Sequence, residues 1–132
     1  MVSVKEFMSK PISVTSETDV YSAIDILLKN KISGLPVVDE ENRVIGILSE
    51  KDCLKIFTHG AYHNLPAGKV EEFMSRDITT VDVHTDLFTI ADMFMKYPFR
   101  RFPVLEHKKL IGVISRRDVL RAIQKMHQGI HK

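Results

Sequence analysis

Cysteine is almost missing from this sequence: Cys53 stands alone among 132 residues. No intramolecular disulfide can form, and a reducing, cytoplasmic compartment suits such a chain best. Long apolar runs are missing too. None approaches the roughly 18 residues that a membrane span requires, so no membrane partner is expected. The opening Met1-Val2-Ser3-Val4-Lys5-Glu6 lacks the apolar centre of a signal peptide. Proline and glycine are sparse, at 5 and 6 residues, and fall at segment ends rather than in a low-complexity block. Charge of one sign is equally scarce. The 19 Lys and Arg against 17 Asp and Glu leave a net charge of +2, too balanced to argue for nucleic-acid binding. The positive charge is local instead: Arg100-Arg101, Lys108-Lys109 and Arg116-Arg117 lie in the last third. Such a concentration can receive an anion, although charge runs are usually solvated faces.

What is present is a hydrophobic content of 44%, ordinary for a globular protein, and an internal repeat. Phe7, Met8, Ser9 and Ile12 meet Phe73, Met74, Ser75 and Ile78 at one constant offset. One inserted residue later, Thr18, Asp19, Asp25, Lys29, Pro36 and Val37 meet Thr85, Asp86, Asp92, Lys96, Pro103 and Val104. A deletion in the next turn restores the first offset, and Ile45, Gly46, Ser49, Asp52 and Leu54 meet Ile111, Gly112, Ser115, Asp118 and Leu120. Both length changes fall where loops absorb them. The chain is a duplication, with copies at 1–58 and 70–132 and a linker at 59–69.

Each copy reads as β-α-β-β-α, an α+β fold. A short apolar strand at 12–15 or 78–83 comes first. Thr18 or Thr85 then caps a helix, with Asp19 or Asp86 favourable beside its positive end. Val20, Ala23, Ile24, Leu27 and Leu28 follow the spacing of one buried helical face, as do Leu87, Ile90, Ala91, Phe94 and Met95. Leu35-Pro36-Val37-Val38 and Phe102-Pro103-Val104-Leu105 are wholly apolar, as strands buried on both faces are. A short polar turn joins each to a partner strand in an antiparallel hairpin. A second helix follows Ser49 or Ser115, the later one carrying Val119, Leu120, Ile123 and Met126 on one stripe. About 50–60 residues bury too little surface to stand alone comfortably. The copies are therefore expected to pack about a pseudo-twofold axis, with two equivalent clefts between them.

The order Phe-Met-Ser, apolar strand, capped helix, Pro-Val and Gly-apolar-apolar-Ser-x-x-Asp, present twice, resembles the CBS domain, named after cystathionine beta-synthase. Two in tandem resemble the pair called a Bateman module. The match runs from Lys5 to Leu120 and leaves only a few terminal residues and a helical tail, so no attached catalytic or transport domain is expected. The resemblance implies binding of adenosine-containing ligands: AMP, ADP, ATP, S-adenosylmethionine or dinucleotides. It implies that Ser49 and Asp52, and again Ser115 and Asp118, hold ribose. An Asp carboxylate can accept from both ribose hydroxyls. The alternative for these residues is a pair of helix caps with first-turn carboxylates. It further implies a crosswise arrangement, in which Ile12, Ser13, Ile32 and Ser33 join Ser115 and Asp118 around one adenosine. Ile78, Thr79, Phe99 and Arg100 join Ser49 and Asp52 around the other. Each apolar member has plain core packing as its alternative.

Arg100-Arg101-Phe102-Pro103 stands where some relatives carry phosphate-contacting basic residues, while the first copy has uncharged Ser33-Gly34-Leu35-Pro36. With Arg116 nearby, the second copy looks prepared for a phosphorylated ligand. Other chemistries find less. His59 and His63, and His127 and His131, are spaced four apart, but Gly60, Pro66 and Gly129 interrupt the helix that spacing needs and no further ligand completes a metal set. Cys53 reads as an inert half-buried thiol. No convergent acid, base or metal set suggests an enzyme. The expectation is a stand-alone regulatory module that needs no cofactor and senses an adenosine nucleotide, dimerises through its helices and acts on a protein target. An S-adenosylmethionine sensor, or a structural dimerisation or partner-binding unit with empty clefts, is the alternative. Nucleic-acid binding through the basic half would show as steep salt dependence.

Overall fold

The structure, a computed structural model, describes residues 2–58 and 68–130. Its elements run α1 (Val4–Phe7), β1 (Val14–Thr15), α2 (Val20–Asn30), β2 (Gly34–Val38), β3 (Val44–Ser49), α3 (Glu50–Cys53) and α4 (Lys55–Thr58). After a 3-10 turn (Val70–Glu72) come β4 (Val81–Asp82), α5 (Leu87–Lys96), β5 (Arg101–Glu106), β6 (Lys109–Ser115) and α6 (Arg116–Ile130). They form two compact units whose bounds differ from those of the sequence copies. A contiguous unit holds Ile12–Ile78, and a split unit holds Met1–Pro11 together with Thr79–Lys132.

In the contiguous unit β1 lies parallel to β2, and β2 antiparallel to β3. Leu35, Val37 and Leu48 on the two longer strands are buried against Ala23 and Leu27 of α2. Val70 and Met74, from the start of the second sequence copy, complete that core. The split unit repeats the plan with β4, β5 and β6. Its core joins Phe102, Val104 and Ile114 to Ile90 of α5, Val119 of α6 and Val4 of α1. Phe102 is stacked on Phe94 with ring centroids 4.4 Å apart.

The Phe-Met-Ser segment of each copy thus acts as a strap over the sheet of the other copy's unit. Ser9 and Val113 exchange backbone hydrogen bonds of 2.9 and 3.0 Å, and Ser75 and Ile47 exchange two of 2.9 Å. The glycine in each Ile-Gly motif makes this approach feasible. A Cβ on Gly112 would stand 2.4 Å from Met8 Sδ and 3.1 Å from the Ser9 carbonyl. One on Gly46 would stand 2.7 Å from Met74 Sδ and 2.9 Å from the Ser75 carbonyl.

Several local expectations change in the structure. The first strands shrink to two residues each, because only Val14-Thr15 and Val81-Asp82 find a parallel partner. Asp19 and Asp86, not the threonines, cap α2 and α5, accepting from the Ser22 and Thr89 amides. The Thr18 and Thr85 hydroxyls turn back to the Thr15 and Asp82 amides, each at 3.1 Å. Leu28 and Met95, the last members of the expected buried faces, are 69% and 86% exposed. At 3.6 residues per turn they stand about 80° round from the first member, at the edge of the stripe. On α6 only Val119 of the expected stripe is buried, beside Ala122, while Leu120, Ile123 and Met126 face outward.

Candidate functional site

The parallel β1–β2 pair and the antiparallel β2–β3 pair place three chain segments at one end of the contiguous sheet. These are the residues entering β1 (Ile12, Ser13), those entering β2 (Ile32, Ser33) and those leaving β3 (Ser49, Asp52). Gly34 is the register partner of Ser49, and the Glu50 amide donates to the Ser33 carbonyl at 2.8 Å. The split unit builds the same end from Thr79, Phe99, Arg100 and Arg101 with Ser115, Arg116 and Asp118. Arg101 is the register partner of Ser115, and the Arg116 amide donates to the Arg100 carbonyl at 3.2 Å. Ile78 belongs to the contiguous unit and Thr79 to the split one. The topology within each unit brings the segment before Pro-Val beside the Ser-x-x-Asp of its own copy. The hairpin register imposes this, since the start of one strand faces the end of the next.

Both Ser-x-x-Asp motifs form reciprocal capping boxes. The Asp52 amide donates to Ser49 Oγ at 3.1 Å, while Asp52 Oδ2 accepts from the Ser49 amide and hydroxyl, each at 2.9 Å. The Asp118 amide donates to Ser115 Oγ at 3.2 Å, and Asp118 Oδ2 accepts from the Ser115 amide at 2.8 Å. The helix-cap role is therefore present in both copies. It leaves acceptor capacity over, because an ionised carboxylate offers about four lone-pair sites. Each outer oxygen faces one cation: Asp52 Oδ1 is 3.2 Å from Lys55 Nζ, and Asp118 Oδ1 is 2.8 Å from Arg121 Nη2. Asp118 is buried, with 7% of its surface exposed.

The basic residues of the second copy divide into two roles. Arg116 is spent largely on structure, its Nε and Nη2 donating to the Phe99 carbonyl at 3.3 and 3.2 Å. Arg100 is exposed. Arg101 is half-buried, and its Nε is buried with no hydrogen-bond partner among the described residues. A buried donor of this kind carries a desolvation penalty of about 1–3 kcal/mol that an acceptor would relieve. Phe99 is partly exposed and stands 6.3 Å from Tyr97 and 6.2 Å, edge-on, from Phe102.

Sequence reasoning missed Lys55 and Arg121. A cation three residues after each Ser-x-x-Asp aspartate was the signal that could have found them. Of the spaced histidines, His59, His63 and His131 lie outside the described residues. Among the described residues no group of three or more His, Cys, Asp or Glu is placed to hold a metal ion. No helix among them is long and apolar enough to cross a membrane. Burial pushes the Cys53 thiol up to about 11, helped by the Asp52 and Glu50 carboxylates, so it stays protonated and unreactive at neutral pH.

The family model for the CBS domain matches residues 4–59 and again 70–125. The chain belongs to the CBS-domain family. Among its CBS relatives is an uncharacterized protein, MJ1426, of Methanocaldococcus jannaschii, 34% identical over 91% of this chain and 90% of that one. The inosine-5'-monophosphate dehydrogenase of Aquifex aeolicus is also 34% identical, over 84% of this chain, but the match spans only 22% of the dehydrogenase. Among solved structures, CBSX2, a CBS-pair protein from Arabidopsis thaliana, was crystallised in complex with AMP. It superposes with a TM-score of 0.82 at 28% identity, covering 96% of this chain and 99% of that one. The CBS domain pair of protein MJ0100, in complex with 5'-methylthioadenosine and S-adenosyl-L-methionine, gives 0.78 at 26% identity, over 96% and 98%.

Proposed function

We propose that this CBS pair is a regulatory module that binds an adenosine nucleotide (AMP, ADP or ATP) at the sheet ends described above. The observation that carries the reading is the convergence, in both units, of a Ser-x-x-Asp box with the segment entering the Pro-Val strand. Asp52 and Asp118 retain lone pairs for the ribose hydroxyls. Ile12, Ser13, Ile32 and Ser33 in one unit, and Thr79 and Phe99 in the other, would offer apolar surface and backbone groups to the base. Arg101, whose buried Nε has no hydrogen-bond partner among the described residues, and the exposed Arg100 would meet phosphate. The adenosine ligands of CBSX2 and the MJ0100 pair support the same class. A ligand that prefers one arrangement of the protein shifts its population, and a protein target reads that shift.

Calorimetry with AMP, ADP, ATP, adenosine and S-adenosylmethionine tests the reading. Asp118→Ala and Asp52→Ala should each weaken binding by about 1.5–3 kcal/mol, the worth of hydrogen bonds to a charged acceptor. Arg100→Ala with Arg101→Ala should weaken phosphorylated ligands and leave adenosine little changed. No heat from any of the five at millimolar concentration would refute it. S-adenosylmethionine binding that excludes the nucleotides would favour the alternative ligand, since the uncharged Ser33-Gly34 end suits a sulfonium better than Arg100-Arg101 does.

The module is also proposed to act as a homodimer. Tyr21, Leu28, Leu54 and Phe57 are exposed in the contiguous unit, and the copy-equivalent Phe88, Met95, Leu120 and Ile123 in the split unit. An apolar groove of about 360 Å³ opens among Tyr21, Leu28, Leu54 and Phe57. Patches of this kind mark association surfaces. Light scattering should give twice 15.1 kDa; the single-chain mass at tens of micromolar would refute it. The single cysteine supports a reducing, cytoplasmic setting.

A further inference from the structure

We propose that Lys55 and Arg121 are coupling residues, each tying the state of its Ser-x-x-Asp carboxylate to the docking of the strap in the same unit. Arg121 Nη2 donates to Asp118 Oδ1 at 2.8 Å and also to the Phe7 carbonyl at 3.0 Å. Its guanidinium lies 5.9 Å from the Phe7 ring centroid. In the contiguous unit Lys55 Nζ lies 3.2 Å from Asp52 Oδ1 and donates to the Phe73 carbonyl at 3.3 Å. Phe7 and Phe73 are the first residues of the two Phe-Met-Ser straps. The same bridge is thus built twice by different side chains, so its position and charge define it rather than one residue's shape.

The geometry gives the bridge a direction. The carboxylate anchors the cation, and the anchored cation holds the strap carbonyl. Hydroxyl donors arriving at Oδ1 share that oxygen with the cation, weaken the anchor and loosen the strap. Directly beyond each strap the chain crosses into the other unit, at Pro11–Ile12 and at Ile78–Thr79. The ligand step rests on the nucleotide reading above; the bridge itself does not.

Hydrogen exchange at the strap amides, which reports local opening, tests the bridge without any ligand. Arg121→Gln and Asp118→Asn should each speed exchange of the Ser9 and Val113 amides about two- to fivefold, as for a partly exposed ion pair. The double variant should exchange no faster than either single one, because both remove the same link. Arg121→Lys should restore slow exchange. Additive effects, or unchanged rates in Asp118→Asn, would overturn the proposal. Should the buried Asp118 not tolerate change, Lys55→Gln and Asp52→Asn, read at the Ser75 and Ile47 amides, put the same question to the contiguous unit with the same two outcomes. With AMP added, binding heat should come with faster Ser9 and Val113 exchange in the wild type but not in Arg121→Gln. Heat without that change overturns the coupling. No heat refutes the nucleotide reading alone and leaves the variant cycle to decide the bridge.

Discussion

The two units share a frame and differ at its ends. Strand order, register, the strap over a glycine, the Asp-capped helix and the Ser-x-x-Asp box are the same in both. The contiguous unit has a five-residue turn closed by Asp39, whose carboxylate accepts from the Glu41 and Arg43 amides at 2.9 Å each. The split unit has the two-residue turn His107-Lys108, both with positive φ, as tight hairpins require. After β3 come two four-residue helices, whereas after β6 one helix runs for 15 residues. At the site, the first copy has uncharged Ser33-Gly34 where the second has Arg100-Arg101. Duplication has preserved what holds the sheet and its strap, and the differences fall at both ends of the sheet, in the turn at one and in the segment entering the Pro-Val strand at the other.

The largest test of that comparison is in the cores. Phe102 and Leu35 are copy equivalents, both buried. Phe102→Ala should lower stability by about 3–5 kcal/mol and Leu35→Ala by about 2–5 kcal/mol. The Phe102 loss should be the greater, since the stack on Phe94 goes with it; urea denaturation of both measures the difference. Next come the glycines. Gly46→Ala should cost about 1–3 kcal/mol through overpacking, and Gly112→Ala less. The nearest backbone atom to the new methyl is the Ser75 carbonyl at 2.9 Å in the first case and the Ser9 carbonyl at 3.1 Å in the second, while the flexible Met8 tip can retreat. Thermal melting would rank them, and the reverse order would mean the methionines govern the fit.

The caps supply a smaller effect with a pH signature. Hydrogen bonds from the Thr89 amide and hydroxyl hold the Asp86 carboxyl below its ordinary value. A depressed carboxyl contributes stability above its unfolded pKa and loses it as pH falls through the folded one. Melting temperature followed from neutral pH into acid should therefore drop less steeply in Asp86→Asn than in the wild type. The smallest effect belongs to Cys53. Its copy equivalent is Val119, a buried core residue, so Cys53→Val should change stability by no more than about 0.5 kcal/mol. Alkylation of the thiol should be slow at neutral pH and accelerate toward its value of about 11; fast labelling near neutrality would mean an exposed thiolate.

The hairpins, the Pro-Val strands and the Ser-x-x-Asp positions were legible in the sequence because apolar runs and turn residues act over short distances. The caps were off by one residue, since Thr and Asp stand side by side and either can satisfy a first-turn amide. Periodicity over-counted the buried face at Leu28 and Met95, because spacing alone does not say how wide a stripe the sheet covers. The straps were recognised as repeated motifs, but their destination was not legible. Phe7 meets Arg121 across most of the chain's length, and no local pattern encodes such a pairing. The same holds for Lys55 and Phe73, and so the cation that reaches both aspartate and strap went unread.

The division into a contiguous and a split unit also sets an order of assembly. During synthesis the contiguous unit has all its parts once residue 78 has emerged, and its pairings close over modest loops. The split unit cannot close until β6 and α6 have been made, because its strap is synthesised before the whole contiguous unit and its seat on Val113 only after it. Val4 and Phe7, buried in the finished protein, spend that interval in water. A nascent chain stalled before β6 therefore carries a folded contiguous unit and an unseated apolar strap, the kind of exposed segment that chaperones bind.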